Sequence, residues 1–117
     1  MANFIWVTFS KVGFHYYPEA NHAEYLRDVD YLGNRHRHKF QFKVSIEIFS
    51  NNRELEFHQF LNWLDSLFDD NINIHHKSCE MLATDLHREI TAKYPGRDII
   101  IEVSEDGECG CTMTWLH

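Results

Sequence analysis

Two stretches of the chain have the character of β-strands. Residues 3–17 are rich in β-branched and aromatic residues, which predicts a long first strand. From residue 36 the apolar positions recur with a period of two, which is typical of a half-buried antiparallel strand. The residues on one face of this second run are His36, His38, Phe40, Phe42, Val44, Ile46 and Ile48. Between the two strands, residues 18–35 are polar and predict a loop.

Apolar residues then recur at helical spacing in two segments. The first stripe consists of Phe57, Phe60, Leu61, Leu64, Leu67 and Phe68. The second stripe consists of Cys79, Leu82, Ala83, Leu86 and Ile90. Ser78 is a suitable N-cap for the second helix, and Pro95 and Gly96 end it. Residues 69–77 are mainly polar and interrupt the helical pattern between the stripes.

The last part of the chain returns to alternation. Residues 98–105 and 109–115 read as two strands joined by a turn at Asp106 and Gly107. The predicted order is therefore β-β-α-α-β-β. We expect an α+β fold in a single domain, residues 1–117, with a four-stranded antiparallel sheet and two helices on one face. The other face is left for solvent or a partner.

Composition narrows the classes of function. Eighteen acidic residues against eleven basic ones give a net charge of −7, which argues against a nucleic-acid partner. The sequence has no apolar run of the roughly 20 residues that span a bilayer, and its start lacks the pattern of a signal peptide, so we expect no membrane partner. Three cysteines are too few for a disulfide framework, which favours a reducing, cytoplasmic location. Nine histidines are the compositional outlier.

Three of the histidines form a candidate metal site. His36 and His38 lie two apart in a strand, so both imidazoles project from one side and can converge on one ion. His15 is the candidate third ligand, because antiparallel pairing brings the end of the first strand beside the start of the second. Three imidazoles with an open fourth position are typical of a catalytic zinc site. The alternative is that all three are surface histidines at strand ends.

These motifs, in this order, resemble the 6-pyruvoyl-tetrahydropterin synthase and 6-carboxytetrahydropterin synthase family, which has the tunnelling fold. The family has an aromatic strand ending in a lone His, then a loop and His-Gly-His. This chain has VGFHYY with His15 and NRHRHKF with His36 and His38. The family's Pro-Thr-x-Glu-x-Leu-Ala helix start is similar to KSCEMLA at residues 77–83. Its final alternating strand reaches a Glu, and IEVSEDGECGCTM has Glu105 at that place.

The resemblance implies a zinc-dependent lyase that acts on dihydroneopterin triphosphate or a related pterin, in the folate, biopterin or queuosine (deazaguanine) pathway. His15, His36 and His38 would hold the zinc, which binds oxygens of the substrate side chain. Glu105 would bind the pterin by accepting two parallel hydrogen bonds from its amino group and ring N–H. The alternative for Glu105 is a solvated carboxylate beside a turn. The family also implies a homo-oligomer, either a trimer or a hexamer.

The chain departs from the family at the catalytic base. The family uses a Cys four residues before the first His of His-x-His, and here that position is Leu32. Asp28 and Asp30 are candidates to replace the Cys, with ordinary loop carboxylates as the alternative. The Asp-His pair that assists the Cys has only loose candidates. These candidates are Asp69, Asp70, His75 and His76.

Two other functional interpretations stay open. Because of Leu32, the chain is alternatively a catalytically degenerate tunnelling-fold protein that binds a pterin-like or purine-like ligand or another protein. It could also have a purely structural role in which the histidines are incidental. Cys109 and Cys111 lie on one face of a strand and with a His could bind zinc, but we favour packing in the core for them, as for Cys79.

Overall fold

The fold combines a long sheet with two α-helices, in the order β-β-α-β-α-β-β. The computed structural model describes residues 2–117. The strands are β1 (Asn3–His15), β2 (His36–Ile48), β3 (Asn71–His75), β4 (Ile99–Glu105) and β5 (Cys109–Trp115). The helices are α1 (Phe57–Ser66) and α2 (Cys79–Lys93), and two short 3-10 segments, Pro18–Asn21 and Glu24–Gly33, fill the predicted loop between β1 and β2. The α+β class is confirmed.

The sheet has five strands in the order β3-β1-β2-β4-β5 and is mixed. The predicted four-stranded antiparallel sheet is therefore wrong in one respect, because β3 pairs with β1 in parallel. Ile72 and Ile74 of β3 are buried, while Asn71 and Asn73 between them are exposed. This strand of only five residues was predicted as a polar break because polar residues flank the two isoleucines. Its apolar residues do alternate with a period of two, and that signal was missed.

One hydrophobic core lies between the sheet and the two α-helices. The predicted alternation of β2 is confirmed, since Phe40, Phe42, Val44 and Ile46 are all buried. All five apolar residues of the α2 stripe are also buried. The α1 stripe is narrower than predicted, because only Phe60 and Leu64 are fully buried and Phe57 is half exposed. Among residues 2–117, no α-helix lies over the opposite face of the sheet.

The boundaries of α2 follow from its end residues. Ser78 is the N-cap as predicted, and its hydroxyl oxygen accepts a hydrogen bond from the backbone N–H of Met81 at 3.1 Å. The helix ends at Lys93, and the chain then turns at Gly96, which has a φ of 76°. Within residues 2–117, neither this helix nor any other has the length and apolar character needed to cross a membrane.

At the end of the sheet where β1 begins, an arginine links two segments by hydrogen bonds. Arg97 donates hydrogen bonds to the backbone carbonyl of Glu47 at 2.9 Å and to the carboxylate of Glu54 at 2.7 Å. The Arg97 guanidinium lowers the pKa of Glu54 to about 2. This contact ties the loop after β2 to the start of β4. The opposite end, where His15 pairs with His36, carries the candidate metal site.

A lysine lies on the core face of β1. The side chain of Lys11 is 4% exposed, and its ammonium lies 3.0 Å from a carboxylate oxygen of Asp65 and 3.6 Å from one of Asp70. Asp65 is half exposed and stays hydrated, whereas the ammonium depends on these two carboxylates for compensation. The two ion pairs of Lys11 therefore join β1 to the end of α1 and to the segment before β3.

We expect removal of the lysine and removal of its carboxylate partner to have different effects on the free energy of unfolding. Lys11→Met should leave the free energy of unfolding unchanged or raise it, because a buried charge is replaced by apolar volume. Asp65→Ala should lower it by about 1–3 kcal/mol, because the buried ammonium loses its nearest partner. Urea unfolding of both variants checks this. A larger loss for Lys11→Met than for Asp65→Ala would contradict it.

Candidate metal centre

The antiparallel register of β1 and β2 brings three histidines together. His15 lies directly opposite His36, and His38 lies two residues further along β2, opposite Gly13. One ligand nitrogen from each of the three rings can be chosen so that all lie within 4.8 Å of one another. The side chains therefore converge as the sequence predicted, and they could hold a metal ion.

Each of the three rings is oriented by an oxygen atom at its Nδ1. The contacts are His15 with the carbonyl of Lys77 (3.2 Å), His36 with the carbonyl of Asn34 (2.7 Å) and His38 with the carboxylate of Asp106 (2.7 Å). A carbonyl or an ionised carboxylate only accepts hydrogen bonds, so each neutral ring carries its hydrogen on Nδ1. The lone pair of each Nε2 is then free.

The Nε2 atoms have the properties of unfilled metal ligands. All three are buried, and none has a hydrogen-bond partner. Buried polar atoms in native proteins are normally paired, so three orphaned nitrogens at one place need an explanation. A metal ion would accept all three lone pairs, and ligating histidines usually donate their other N–H to a carbonyl or carboxylate, as these do. The donor set therefore fits a divalent metal.

The site lies on an apolar floor. The Phe40 ring is fully buried, and its centroid lies 5.1 Å from that of His15 and 5.9 Å from that of His38. Gly13 leaves room for this ring, since a Cβ at that position would lie 2.6 Å from it. An apolar surface under the histidines limits the access of water and strengthens electrostatic interactions at the site.

Glu105, at the end of β4, faces two of the three histidines. Its carboxylate oxygens lie 3.2 Å from Nε2 of His15 and 3.3 Å from Nε2 of His38, but neither contact has hydrogen-bond geometry. His15 lowers the pKa of Glu105, against the opposing effect of burial. Burial lowers the pKa of His15, but the Glu105 carboxylate and the Lys77 carbonyl outweigh it and raise that pKa above its usual value.

Asp106 is a site residue that the sequence interpretation missed. Its carboxylate accepts hydrogen bonds from the His38 ring and, at 2.8 Å, from the backbone N–H of Lys39. The N–H of Lys39 and the His38 ring both lower the pKa of Asp106. Its φ of 58° is one that Asp adopts more readily than most residues. The sequence signal was present, but Asp106 beside Gly107 was assigned only to a turn.

We expect Asp106→Asn to weaken metal binding by roughly 10–100-fold, because an uncharged amide orients and polarises the His38 ring less well than a carboxylate. Asn tolerates the same positive φ, so the turn should remain. Competition with a chromophoric chelator measures the affinity. Asp69→Asn, in an exposed carboxylate away from the site, is the control. Equal affinity in the wild type and Asp106→Asn would remove Asp106 from the metal centre.

A cavity of about 550 Å³ opens beside the histidines. Its lining includes His15, His36, Glu105, Leu32 and Glu80. The volume lies within the range of small-molecule sites. A larger concavity of about 850 Å³ lies over the uncovered face of the sheet, but none of the three histidines lines it. We therefore take the smaller cavity as the candidate ligand site.

The candidates for the missing Cys lie apart from this cavity. Leu32, at the position that the resemblance assigns to the Cys, lines the cavity with an apolar side chain. Asp28 and Asp30 lie in the second 3-10 segment, are exposed, and are not among the lining residues. The local 3-10 geometry, which composition did not reveal, determines which of these residues reach the site.

The candidates for the Asp-His pair are also not assembled there. Asp70 lies beside Lys11, and Asp69 is exposed in the same segment. His75 is exposed at the end of β3 and does not line the cavity, whereas the next residue, His76, does. The structure thus brings one imidazole from this group to the cavity without an aspartate from the same group.

The three cysteines differ in their surroundings, and all are free thiols. Cys79 is buried as predicted, and burial raises its pKa to about 12, so it is protonated at neutral pH and unsuited as a base. Cys111 is half-buried against the core. The expectation of core packing is wrong for Cys109, which is exposed and lines the cavity. In the described part of the chain, no third ligand joins the two β5 sulfurs in a metal-binding cluster.

No family model matches this chain, and no curated protein matches its sequence at a significant level. Function has to be argued from the residues of the site.

Proposed function

We propose that the chain is a zinc-dependent, tetrahydropterin synthase-like lyase that acts on dihydroneopterin triphosphate or a related pterin. The observation that carries this proposal is the set of three buried Nε2 atoms without partners, two of which belong to histidines (His15 and His36) that line a cavity large enough for a small molecule. The three-histidine ligand set and the nearby glutamate are the features of the resemblance that support the proposal.

Zinc is the metal that the donor set supports best. His15, His36 and His38 offer neutral imidazole nitrogens, and the carbonyl and carboxylate groups at their Nδ1 atoms fix the tautomer that ligation requires. Imidazole also suits copper, iron and nickel, but three histidines beside an open cavity are the arrangement of catalytic zinc sites. When bound, the zinc would polarise a carbonyl oxygen of the substrate side chain.

The chain's own residues would supply recognition and proton transfer. In this proposal, Glu105 accepts hydrogen bonds from the amino group and ring N–H of the pterin, and its lowered pKa keeps it ionised for that role. His76 and Glu80 line the same cavity, and an imidazole nitrogen or a carboxylate oxygen there could accept the proton removed beside the polarised carbonyl. Leu32 would pack against the bound ligand.

The test is a metal and turnover assay on protein purified without a His tag or chelator. We expect about one zinc per chain. We also expect conversion of dihydroneopterin triphosphate, followed by product fluorescence, that is lost after chelation and restored by zinc. No stoichiometric zinc in the purified protein would overturn the proposal.

A binding function is the second candidate, and Leu32 favours it. With an apolar side chain at the cavity wall, and with Asp28 and Asp30 away from it, the site could keep the metal and the ligand pocket without a proton acceptor in the family's position. Such a protein would bind a pterin-like or purine-like ligand, or another protein, without turnover. Tight binding of dihydroneopterin triphosphate with no product would establish this second candidate over the lyase.

We also propose that the chain forms a homo-oligomer, a trimer or a hexamer, in the cytoplasm. The uncovered face of β1 carries large side chains, and Trp6 among them is 60% exposed. A second copy would remove this surface from water. Three free cysteines suit a reducing compartment. Light scattering on the purified protein gives the mass, and a monomer at micromolar concentration would contradict the oligomer.

A further inference from the structure

The Glu105 carboxylate lies close to the free nitrogens of two of the three histidines. Its two oxygens lie 3.2 Å from Nε2 of His15 and 3.3 Å from Nε2 of His38. Atoms that bind zinc tetrahedrally at about 2.0–2.1 Å lie about 3.3–3.4 Å from one another. Oε1 is thus at the separation expected between two ligands of one ion relative to His15, and Oε2 is at that separation relative to His38.

A hydrogen bond does not account for these contacts. The Nδ1 atoms of His15 and His38 face the oxygens of Lys77 and Asp106, which places the hydrogen of each neutral ring on Nδ1. The lone pairs of both Nε2 atoms then face the oxygens of Glu105, and neither nitrogen has a hydrogen-bond partner. Electron-rich atoms at this distance repel each other unless a proton or a metal cation lies between them, and neither contact has the geometry of a hydrogen bond through a proton.

We propose that Glu105 is the fourth ligand of the metal held by His15, His36 and His38 when no substrate is bound. This inference rests on the proposed metal site. Glu105 is held at the site by its strand, because it pairs with Phe40 of β2. The three histidine nitrogens lie within 4.8 Å of one another, a group that does not include Glu105. Ligation by all four residues therefore requires the nitrogens and the Glu105 carboxylate to move closer together around the ion.

Ligation by Glu105 gives the site a resting state that is closed. Four protein ligands are typical of structural zinc sites, and an open position is typical of catalytic ones. In the proposed function the same carboxylate binds the pterin. When the N–H groups of a pterin donate hydrogen bonds to Glu105, the carboxylate leaves the metal and the fourth coordination position opens. The metal becomes accessible only when the correct base is in place.

Cobalt titration of the full chain, without pterin, tests this directly. We compare the wild type with Glu105→Gln, and use Glu102→Gln, on the uncovered face of the same strand, as the matched control. We expect Glu105→Gln to bind cobalt and zinc at least roughly tenfold more weakly and to alter the visible cobalt spectrum. Glu102→Gln should match the wild type in both measurements.

The outcomes separate this inference from the metal site itself. Stoichiometric cobalt in the wild type, with the same affinity and spectrum in Glu105→Gln, overturns ligation by Glu105 and leaves the three-histidine site standing. No cobalt in the wild type overturns both. If circular dichroism shows that Glu105→Gln is unfolded, Glu105→Asp decides. Its carboxylate is one methylene shorter, so we expect the same loss of affinity, and wild-type affinity would overturn the inference.

Discussion

We expect His36→Ala to abolish stoichiometric metal binding while the fold remains. His36 lies at the first position of β2, outside the packed stripe, so its loss leaves no cavity in the core. It supplies one of the three nitrogens of the site, and two histidines hold an ion far less tightly than three. The loss of metal affinity should exceed the roughly 10–100-fold loss that is typical when a residue that only orients a ligand is changed.

Elemental analysis of untagged wild type and His36→Ala, side by side, measures this effect. His58→Ala is the matched control, because His58 is an exposed histidine of α1 that takes no part in the cluster. It should keep the metal content of the wild type. Full zinc occupancy in His36→Ala would show that the ligand assignment is wrong. Equal loss in both variants would show that the metal is bound by scattered surface histidines.

The second large effect is expected in the core. Phe42→Ala should lower the free energy of unfolding by about 3–5 kcal/mol, the range for truncation of a buried aromatic ring. The Phe42 ring is 1% exposed and stacks on Phe9 with centroids 4.7 Å apart, and Phe68 lies 5.3 Å away. Three rings from β1, β2 and the segment just after α1 meet there, so their neighbours cannot easily fill the space.

Urea unfolding compares Phe42→Ala with Phe57→Ala. Phe57 is a ring of the same size at the start of α1, but it is half exposed, so its truncation should change stability by less than about 1 kcal/mol. Similar losses for the two variants would contradict the assignment of the core to the face of β2 that carries Phe42.

The long alternating strands and the histidine pair could be predicted because they depend on local rules. A period of two over thirteen residues fixes which face of β2 is buried, and His36 and His38 share that face. The partnership with His15 also followed, because adjacent antiparallel strands place their joined ends side by side. These features need no knowledge of the tertiary structure.

The groups that orient the histidines could not be predicted in the same way. Lys77 and Asn34 act through backbone carbonyls, which every residue carries, so no residue type marks them. Asp106 acts through its side chain, but an aspartate before a glycine is also the ordinary signal of a turn. Which of Asp28, Asp30 and Leu32 reaches the cavity depends on the path of two 3-10 segments, and composition does not determine that path.

The oxygens that orient the rings belong to segments around residues 34, 77 and 106, far apart in the sequence. A bound ion would therefore tie three loops together at one end of the sheet, while Arg97 holds the other end without it. At free metal about 1,000 times the Kd, this stabilises the folded state by about 4 kcal/mol. Without metal, this end of the molecule would unfold locally more often than the other, and its loops would become accessible to proteases. The cellular abundance of the protein would then follow the metal supply.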